Sequence, residues 1–529
     1  MTEPDGNPME PPGPAYHSGA SALRHGTGPH AAPPQRAEVC ETHTAVVFFV
    51  GDRAYKLKKP VDLEFLDYTA VAARRTACAQ EVALNRQFAP DVYLGVGEIR
   101  GPGAEVPEPL VVMRRMPTDR RLSTLVREGV AVDGFLQDVA RRLAAHHAGA
   151  VRGPEVDEQG TRDALSARWE ASFAQVRELV GAERLPDGLA EVERLVRRYL
   201  AGRKHLFDTR IEQGRIVDGH GDLLGDDIFC LDDGPRILDC LEFDDTLRYV
   251  DGLDDAAFLA MDLEHLGAPE AASYFLARYG EYSGDPAPPS LWHHYVAYRA
   301  FVRAKVSLIQ AHQGAPGLES AARRLVSIAL RHLRTSAVCL TLVGGLPGSG
   351  KSTLSGALAD RLGVTLLSSD RIRKELAGIP AEQSAAAGYG EGLYTPEWTA
   401  DTYAALLDRA SALLSSGESV VLDATWSDAG QREAALRMAE RADADLVALH
   451  CQVPDNVSQA RIDTRTLGAS DADRAIARAI AAREAPWAEA VTIDTGGSLE
   501  SAVVQALAAV HPWGVSQAPV FRRPYMEPD

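Results

Sequence analysis

The sequence predicts two fold classes in one chain, an α+β unit followed by a parallel α/β unit. Three observations carry this. After a Pro- and Gly-rich start, short β-branched runs flank one helix and give way to helical spacing that lasts to about residue 334. Beyond that point strands and helices alternate, the pattern of a parallel sheet with right-handed crossovers. Where the two regions meet stands Gly345-Leu346-Pro347-Gly348-Ser349-Gly350-Lys351-Ser352, a G-x-x-x-x-G-K-S run. It lies between an apolar strand and a helix, the context a phosphate-binding loop needs. A chain of 529 residues is too long for one core, and length alone allows roughly three or four domains.

Composition narrows the function classes. The chain is 45% hydrophobic and 24% charged, the balance of a soluble globular protein. A net charge of −19 argues against bulk attraction to nucleic acid, though a local basic groove stays open. The six cysteines, at 40, 78, 230, 240, 339 and 451, form no C-x-x-C pair, which suits a reducing cytoplasmic setting. The N-terminal stretch does not read as a signal peptide, and no apolar run is long enough to cross a bilayer. Residues 1–36 read as a disordered tail, with His17, His25 and His30 solvated in it. Residues 512–529 read as an extended tail.

In the first unit, 37–334, Thr44 to Val50 and Arg53 to Lys58 are predicted strands around a Gly51-Asp52 turn. In the second strand Lys56 and Lys58 share one face. A helix follows from Val71 to Phe88, with Glu81 and Asn85 one turn apart, and then strands at Val92–Ile99 and Leu110–Met116. Residues 117 to about 210 are helical, and His146-His147 reads as a capping or surface pair. A charged loop, Val217-Asp218-Gly219-His220-Gly221-Asp222-Leu223-Leu224-Gly225-Asp226-Asp227, precedes the strand end Ile237-Leu238-Asp239. Helices then run at Ala256–Leu266, Ala271–Tyr282, Leu291–Gln310 and Glu319–Leu333. Arg299, Arg303 and Lys305 on the third of these face either an anionic site or solvent.

The order strand, strand, helix, strand, strand resembles the small lobe of a protein-kinase-like fold, and the loop resembles the H-G-D-L-x-x-x-N loop of the aminoglycoside phosphotransferase and choline kinase-like family. The resemblance implies a bilobal unit in which Lys56 or Lys58 pairs with Glu81 and holds nucleotide phosphates. It implies Asp222 as the carboxylate that accepts the acceptor hydroxyl's proton, Asp227 and Asp239 as Mg²⁺ ligands, and Asp251 as the brace of the catalytic loop. The chain departs from the pattern at Asp227, where the family has Asn, and at Leu224, where it often has a second His. Asp ligates Mg²⁺ as Asn does but adds a negative charge, which leaves open a nucleotide-binding regulatory lobe without turnover.

In the second unit, 335–511, Val338–Val343, Val364–Ser368, Ser419–Leu422, Leu446–Cys451 and Val491–Ile493 are predicted strands separated by helices. Ligands gather at the carboxyl ends of such strands. The loop residues Gly345 to Ser352, with Thr353, would wrap phosphates, Lys351 would reach the β- and γ-phosphates, and Ser352 and Asp423 would hold Mg²⁺. Asp370, in Ser368-Ser369-Asp370-Arg371-Ile372-Arg373, resembles the substrate-side aspartate of polynucleotide-kinase-like and zeta-toxin-like P-loop kinases, which implies a general base; an aspartate there is also a common helix cap. Arg461 and Arg465, one turn apart, resemble lid arginines that neutralise the transferring phosphoryl group. Ala385 to Pro396 reads as a mobile substrate loop or a plain connection.

As a whole the chain resembles bacterial fusions of an aminoglycoside-phosphotransferase-like domain with a P-loop kinase-like domain. That implies ATP and Mg²⁺ at two sites and transfer of a γ-phosphoryl group to the hydroxyl of a small molecule at one or both; net charge weighs against nucleic acid as a partner, and hydropathy against a membrane. The alternatives are a regulatory first lobe controlling an active P-loop kinase, and a polynucleotide 5′-kinase, against which the net charge weighs. The reading expects the turn around Gly348 to be clear of protein, and Asp222 and Asp239 to face one another.

Overall fold

The computed structural model describes residues 37–510, apart from 43, 64–65, 101–105, 181–187, 316, 381–382, 384–390 and 465–473. The first unit opens with β1 (Glu38–Glu41), β2 (Ala45–Val50), β3 (Arg53–Lys58), a two-strand pair β4 (Asp62–Leu63) and β5 (Leu66–Asp67), helix α1 (Val71–Asn85), β6 (Tyr93–Ile99) and β7 (Glu108–Arg114). Five of these make one antiparallel sheet in the order β1-β2-β3-β7-β6. Strand β2, AVVFFV, is β-branched and aromatic and suits a half-buried pleat, and β7 adds Val111 and Val112. Helix α1 packs across the inner face through Cys78 and Val82 against Tyr93 and Val111.

Helices α2 (Leu122–Arg127), α3 (Asp133–Gly149), α4 (Pro154–Gln159), α5 (Arg162–Val180), α6 (Leu189–Ala201) and α7 (Lys204–Glu212) follow. Two small antiparallel pairs come next, β8 (Ile216–Asp218) with β11 (Tyr249–Asp251), and β9 (Ile228–Leu231) with β10 (Gly234–Ile237). Helices α8 (Gly252–His265), α9 (Pro269–Ser283), α10 (Pro289–His312) and α11 (Leu318–Thr335) complete the helical part. A sheet lobe, a hinge-side connection and a helical lobe carrying a loop between two small pairs make this unit protein-kinase-like and bilobal.

The second unit is a parallel α/β sheet. It holds β12 (Cys339–Gly344), α12 (Lys351–Leu362), β13 (Thr365–Ser368), α13 (Ser369–Leu376), α14 (Pro396–Ser415), β14 (Val420–Asp423), α15 (Ala429–Arg441), β15 (Asp445–Gln452), α16 (Asp455–Thr464), α17 (Arg474–Ala481), β16 (Val491–Asp494) and α18 (Leu499–Val510). The strand order is β13-β14-β12-β15-β16, all parallel. From β12 the chain leaves toward β13, and from β14 toward β15, in opposite directions across the sheet. A crevice opens where they part, at the carboxyl ends of two adjacent strands.

Strand alternation decides which face meets what. Leu340 and Leu342 of β12 and Val420 and Leu422 of β14 join a hydrophobic cluster that continues into the first unit's helices. Val343 and Val421 point the other way, to Leu354, Leu358 and Leu507. The cluster therefore runs unbroken past residue 334. Polar contacts seal the seam: Ser290 Oγ donates to Gly417 O at 2.6 Å, an Arg203 guanidinium N–H donates to Ala442 O at 2.7 Å, and Arg198 pairs with Asp445 at 2.5 Å. At Gly202 the two backbones approach closely, since a Cβ there would lie 2.2 Å from Ala442 O. Its φ of −87° suits any residue, so Gly202→Ala tests the seam alone. It is expected to cost about 1–3 kcal/mol, as overpacking does, and to lower the thermal midpoint; an unchanged melt would mean the units do not dock there.

Buried histidines make the first unit acid-sensitive. His294 stacks on Tyr199 with centroids 4.3 Å apart and accepts from Trp169 Nε1–H at 3.3 Å, and burial pushes it down to about 3. Burial, with the neighbouring His147, pushes His146 down to about 4. Both folded values lie below the ordinary 6.5, so between them the unfolded chain binds protons the folded chain refuses. Asp262, raised to about 6 by burial, has the opposite sign, as do Asp222, Asp227 and Asp254, but burial lowers His220, His265 and His293 as well, which leaves five histidines against four carboxyls among the described residues. Stability is thus expected to be full above about pH 6.5 and to fall steadily toward pH 4, read as urea midpoints across that range; a midpoint that rises on acidification would contradict it.

Candidate active sites

The first site lies between the sheet lobe and the loop after β8. Lys56 and Lys58 do share a face, and both reach Glu81 on α1, at 2.9 and 2.7 Å. They then diverge. Lys58 is buried, lies over the Tyr68 ring at 5.2 Å, and also pairs with Glu242. Lys56 turns to the cleft and meets Asp239 Oδ1 at 2.7 Å. Burial works against the Lys56 charge, but Asp239 and Glu81 overcome it and hold the ammonium well above its ordinary value. Of the two, Lys56 is the more exposed, 16% against 2% for Lys58.

Asp239 sits in the left-handed region, φ 63°, uncommon for a non-glycine. Its own N–H donates to Tyr93 Oη at 3.1 Å, and the next N–H, of Cys240, donates to Asn85 Oδ1 at 2.9 Å. Asn85 Nδ2 also donates to Glu81 O at 2.9 Å. Helix α1 thus holds both the lysine's partner and the backbone that aims Asp239. Half of the Asp239 side chain is exposed, into the cleft. Lys56 holds its carboxyl below the usual range, against burial.

Asp222 and Asp227 approach Asp239 closely enough to act on one another. Burial, then Asp239 and Asp222, push Asp227 well above the ordinary carboxylate value. Burial raises Asp222, Arg303 and His220 oppose, and Asp239 raises it further. Such a trio calls for a cation. Among the described residues no three His, Cys, Asp or Glu side chains close into a metal cage. Two carboxylates completed by phosphate oxygens and water are what Mg²⁺ with a nucleotide requires.

Two expectations are corrected here. Asp251 does not brace the catalytic loop. It caps α8, accepting the Leu253 N–H at 2.9 Å, and is held by Arg210 at 2.6 and 2.7 Å. The brace is Asp255, one turn along the same helix, whose carboxylate accepts the His220 and Gly221 N–H groups at 2.7 and 2.9 Å. A cap must point along the helix axis, whereas the next turn faces the loop. The pair His146-His147 is not a surface feature either. His147 is buried, with Nε2 2.9 Å from Asp255 Oδ2 and Nδ1 2.9 Å from Tyr279 Oη. The sequence signal for both was a period of four, Asp251 to Asp255 and Leu143 to His147, overlooked because polar residues were not read as core.

The second site is the crevice of the parallel sheet. Gly345, Gly348 and Gly350 all take positive φ, 141°, 82° and 87°, and Lys351 begins α12 with its side chain buried. The N–H groups of Gly350, Lys351 and Ser352 find no backbone acceptor among the described residues, leaving them for an anion. Asp423 is register partner to Val343, just before the loop, and to Ser368. Burial raises its pKa, while Lys351 and Ser352 oppose. Asp423 Oδ1 and Ser349 Oγ are both buried with no protein partner. Such atoms fit a phosphate–Mg²⁺ group rather than a dry turn.

The expectation of an uncovered turn is corrected. Gly348 is buried under α16, and a Cβ on it would lie 2.5 Å from Ser458 O. No loop N–H donates to α16 among the described residues, so this cover leaves the anion-binding groups unspent. Arg461 anchors the same helix, donating to Thr495 O at 2.8 Å, while Thr495 Oγ1 donates to Ser349 O at 2.5 Å. Arg465 and the first half of Ala385–Pro396, residues 385–390, lie outside the described residues. Asp370 stands in the first turn of α13, one residue past the start, and does not cap it; Arg373 is buried over the Tyr394 ring at 4.5 Å, and Arg371 is exposed.

Known proteins add to this geometry. A family model described as "AAA domain" matches residues 340–486. A choline/ethanolamine kinase family protein from Mesorhizobium loti is 16% identical, covering 56% of this chain and 92% of its own, with a TM-score of 0.35. A sugar kinase from Janibacter sp. HTCC2649 is 18% identical, covering 34% and 97%, with a TM-score of 0.25. Uncharacterized protein Rv2004c of Mycobacterium tuberculosis and Uncharacterized protein Mb2027c of Mycobacterium bovis are each 43% identical over 469 residues, 89% of this chain and 94% of theirs. Identity at that level over nearly the whole length covers both units at once, and this chain belongs to the family of those mycobacterial proteins.

Proposed function

We propose that this chain is an ATP- and Mg²⁺-dependent phosphotransferase with two nucleotide sites, one in residues 37–334 and one in 335–511, each acting on the hydroxyl of a small molecule. The observation that carries the reading is Asp423 Oδ1, a buried carboxylate oxygen without a protein partner at the mouth of a glycine loop led by Lys351. In this site Lys351 and the loop from Gly345 to Thr353 hold phosphates, Ser352 and Asp423 hold Mg²⁺, Asp370 serves the acceptor, and Arg461 and Arg465 neutralise charge on the transferring phosphoryl group. In the first site Lys56, steadied by Glu81, holds phosphates; Lys58 ties Glu81 to Glu242; Asp227 and Asp239 hold Mg²⁺; Asp222 is the base.

Bound Mg²⁺ would supply charge neutralisation on the phosphates. The chain's own part is positional. At Asp222 the acceptor O–H proton passes to the carboxylate, the oxygen bonds to the γ-phosphorus, and the bond from that phosphorus to the ADP oxygen breaks. The net charge and the lack of a membrane-spanning helix among the described residues fit a small-molecule acceptor in a cytoplasmic setting. The test is an acceptor screen with γ-labelled ATP on the full chain, Lys351→Ala and Asp222→Asn. Two separable activities, each lost in one variant, are expected; labelling untouched by either variant would end the reading.

A second reading keeps the first lobe as a nucleotide-binding regulator. Asp227 favours it, and so does the β1–β2 turn, which is pinned by Thr42, its Oγ1 accepting from Ala45 N–H at 3.0 Å, instead of carrying glycines. Nucleotide binding there without any Asp222-dependent transfer would select it.

A further inference from the structure

We propose that the alcohol presented to Asp222 is an anion, carrying a phosphate or carboxylate group that Arg303 receives. The inference rests on the proposed phosphotransfer at that site and specifies its substrate class.

The argument begins on α10. Arg299 and Arg303 lie one turn apart, and their fates differ. Arg299 is buried and spent, donating to both Asp254 oxygens at 2.7 and 2.8 Å. Arg303 is half-buried, and among the described residues no carboxylate lies within ion-pair distance of it. A guanidinium taken partly out of water costs free energy unless an anion meets it. Arg303 is also the cation that acts most strongly on the Asp222 carboxyl, and it acts on Asp262 and His265 as well. Geometry places it there: α10 runs beside α8, with Tyr295 on Asp251 and Arg299 on Asp254, so Arg303, one turn further, lies toward the stretch of α8 whose Asp262 accepts the loop's Gly225 N–H at 2.9 Å.

The surroundings point the same way. The carboxylates nearby are already engaged: Asp262 Oδ2 accepts the Gly225 N–H at 2.9 Å, and Asp226 accepts from the Ser123 hydroxyl. Two of the three cations are not: Arg127 pairs with that same Asp226, at 4.0 Å, whereas Arg303 and Arg324 make no ion pair among the described residues, and all three act on His265. His265 Nδ1 is itself buried without a partner. An acceptor whose hydroxyl reaches Asp222 thus has its other end beside Arg303, a cation with no carboxylate partner among the described residues. A cationic alcohol would be repelled there.

The experiment measures binding of matched pairs to the Lys351→Ala chain saturated with a non-hydrolysable ATP analogue and Mg²⁺, so that the phosphate loop does not read out. The probes are glycerol, glycerol 3-phosphate, glycerate and choline. Glycerol 3-phosphate or glycerate is expected to bind about ten- to a hundredfold more tightly than glycerol, the worth of a charge-assisted hydrogen bond. The margin should vanish in Arg303→Met and return in Arg303→Lys, while Lys305→Met, two residues along and bonded to Ser172, keeps it. Which anion binds separates phosphate from carboxylate. Equal binding of glycerol or choline in the parent chain overturns the proposal even if the Met variant does not fold. So does a margin that survives in Arg303→Met, or a variant in which only the acid limb of the pH profile moves, since Arg303 would then serve only the Asp222 charge. Anion preference without Asp222-dependent transfer would instead defeat the phosphotransfer reading and leave the anion subsite standing.

Discussion

Lys351→Ala is expected to lower phosphoryl transfer by the second unit about 10²–10³-fold, the usual loss when one electrostatic contact to a transferring phosphate is removed. The side chain is buried at the start of α12 and lowers the pKa of Asp423, itself raised by burial. Its removal therefore acts twice. The β- and γ-phosphates lose their cation, and Asp423 drifts toward its neutral form, a poorer ligand for Mg²⁺. Both losses appear in labelled-ATP transfer and as a smaller thermal shift on adding Mg²⁺–ADP. The first site should be untouched, because its lysine stands on another sheet. A variant that keeps full activity would remove the phosphate loop from the chemistry.

Asp222→Asn is expected to lower transfer at the first site about 10²–10⁴-fold, the range for a positioned general base. The substitution is nearly isosteric, and the loop is held through the His220 and Gly221 N–H groups by Asp255, so its backbone should survive. The loss should fall on kcat, with nucleotide affinity held by Lys56 and Glu81. An Asn variant that transfers as well as its parent would move the first lobe to the regulatory reading.

Much of this was legible in the chain. The glycine loop reads directly because its requirement is local: backbone that reaches positive φ, followed at once by a helix start. The five strands of the second unit were each placed within a residue or so, since buried parallel strands are continuous apolar runs. Alternation put Lys56 and Lys58 on one face, and the resemblance to a kinase-like small lobe named Glu81 as their partner, which the structure places 2.9 and 2.7 Å from them. Strand β1 was not read, nor the β4–β5 pair, because such short segments carry no period and are held by their neighbours.

What remained was long-range. The order of residues cannot say that Lys58 is consumed by Glu242, 184 positions away, while Lys56 turns to the cleft. Nor can it say that Asp255 rather than Asp251 holds the loop, that α16 covers Gly348, or that one apolar cluster joins both units. By itself the sequence determined the P-loop motif and pointed to a second candidate site, because a glycine loop and an H-G-D-L run are each written in a few adjacent residues. Only the tertiary structure decided which lysine, which brace and which arginine are free, because a charged group's availability depends on whether some distant partner has already neutralised it.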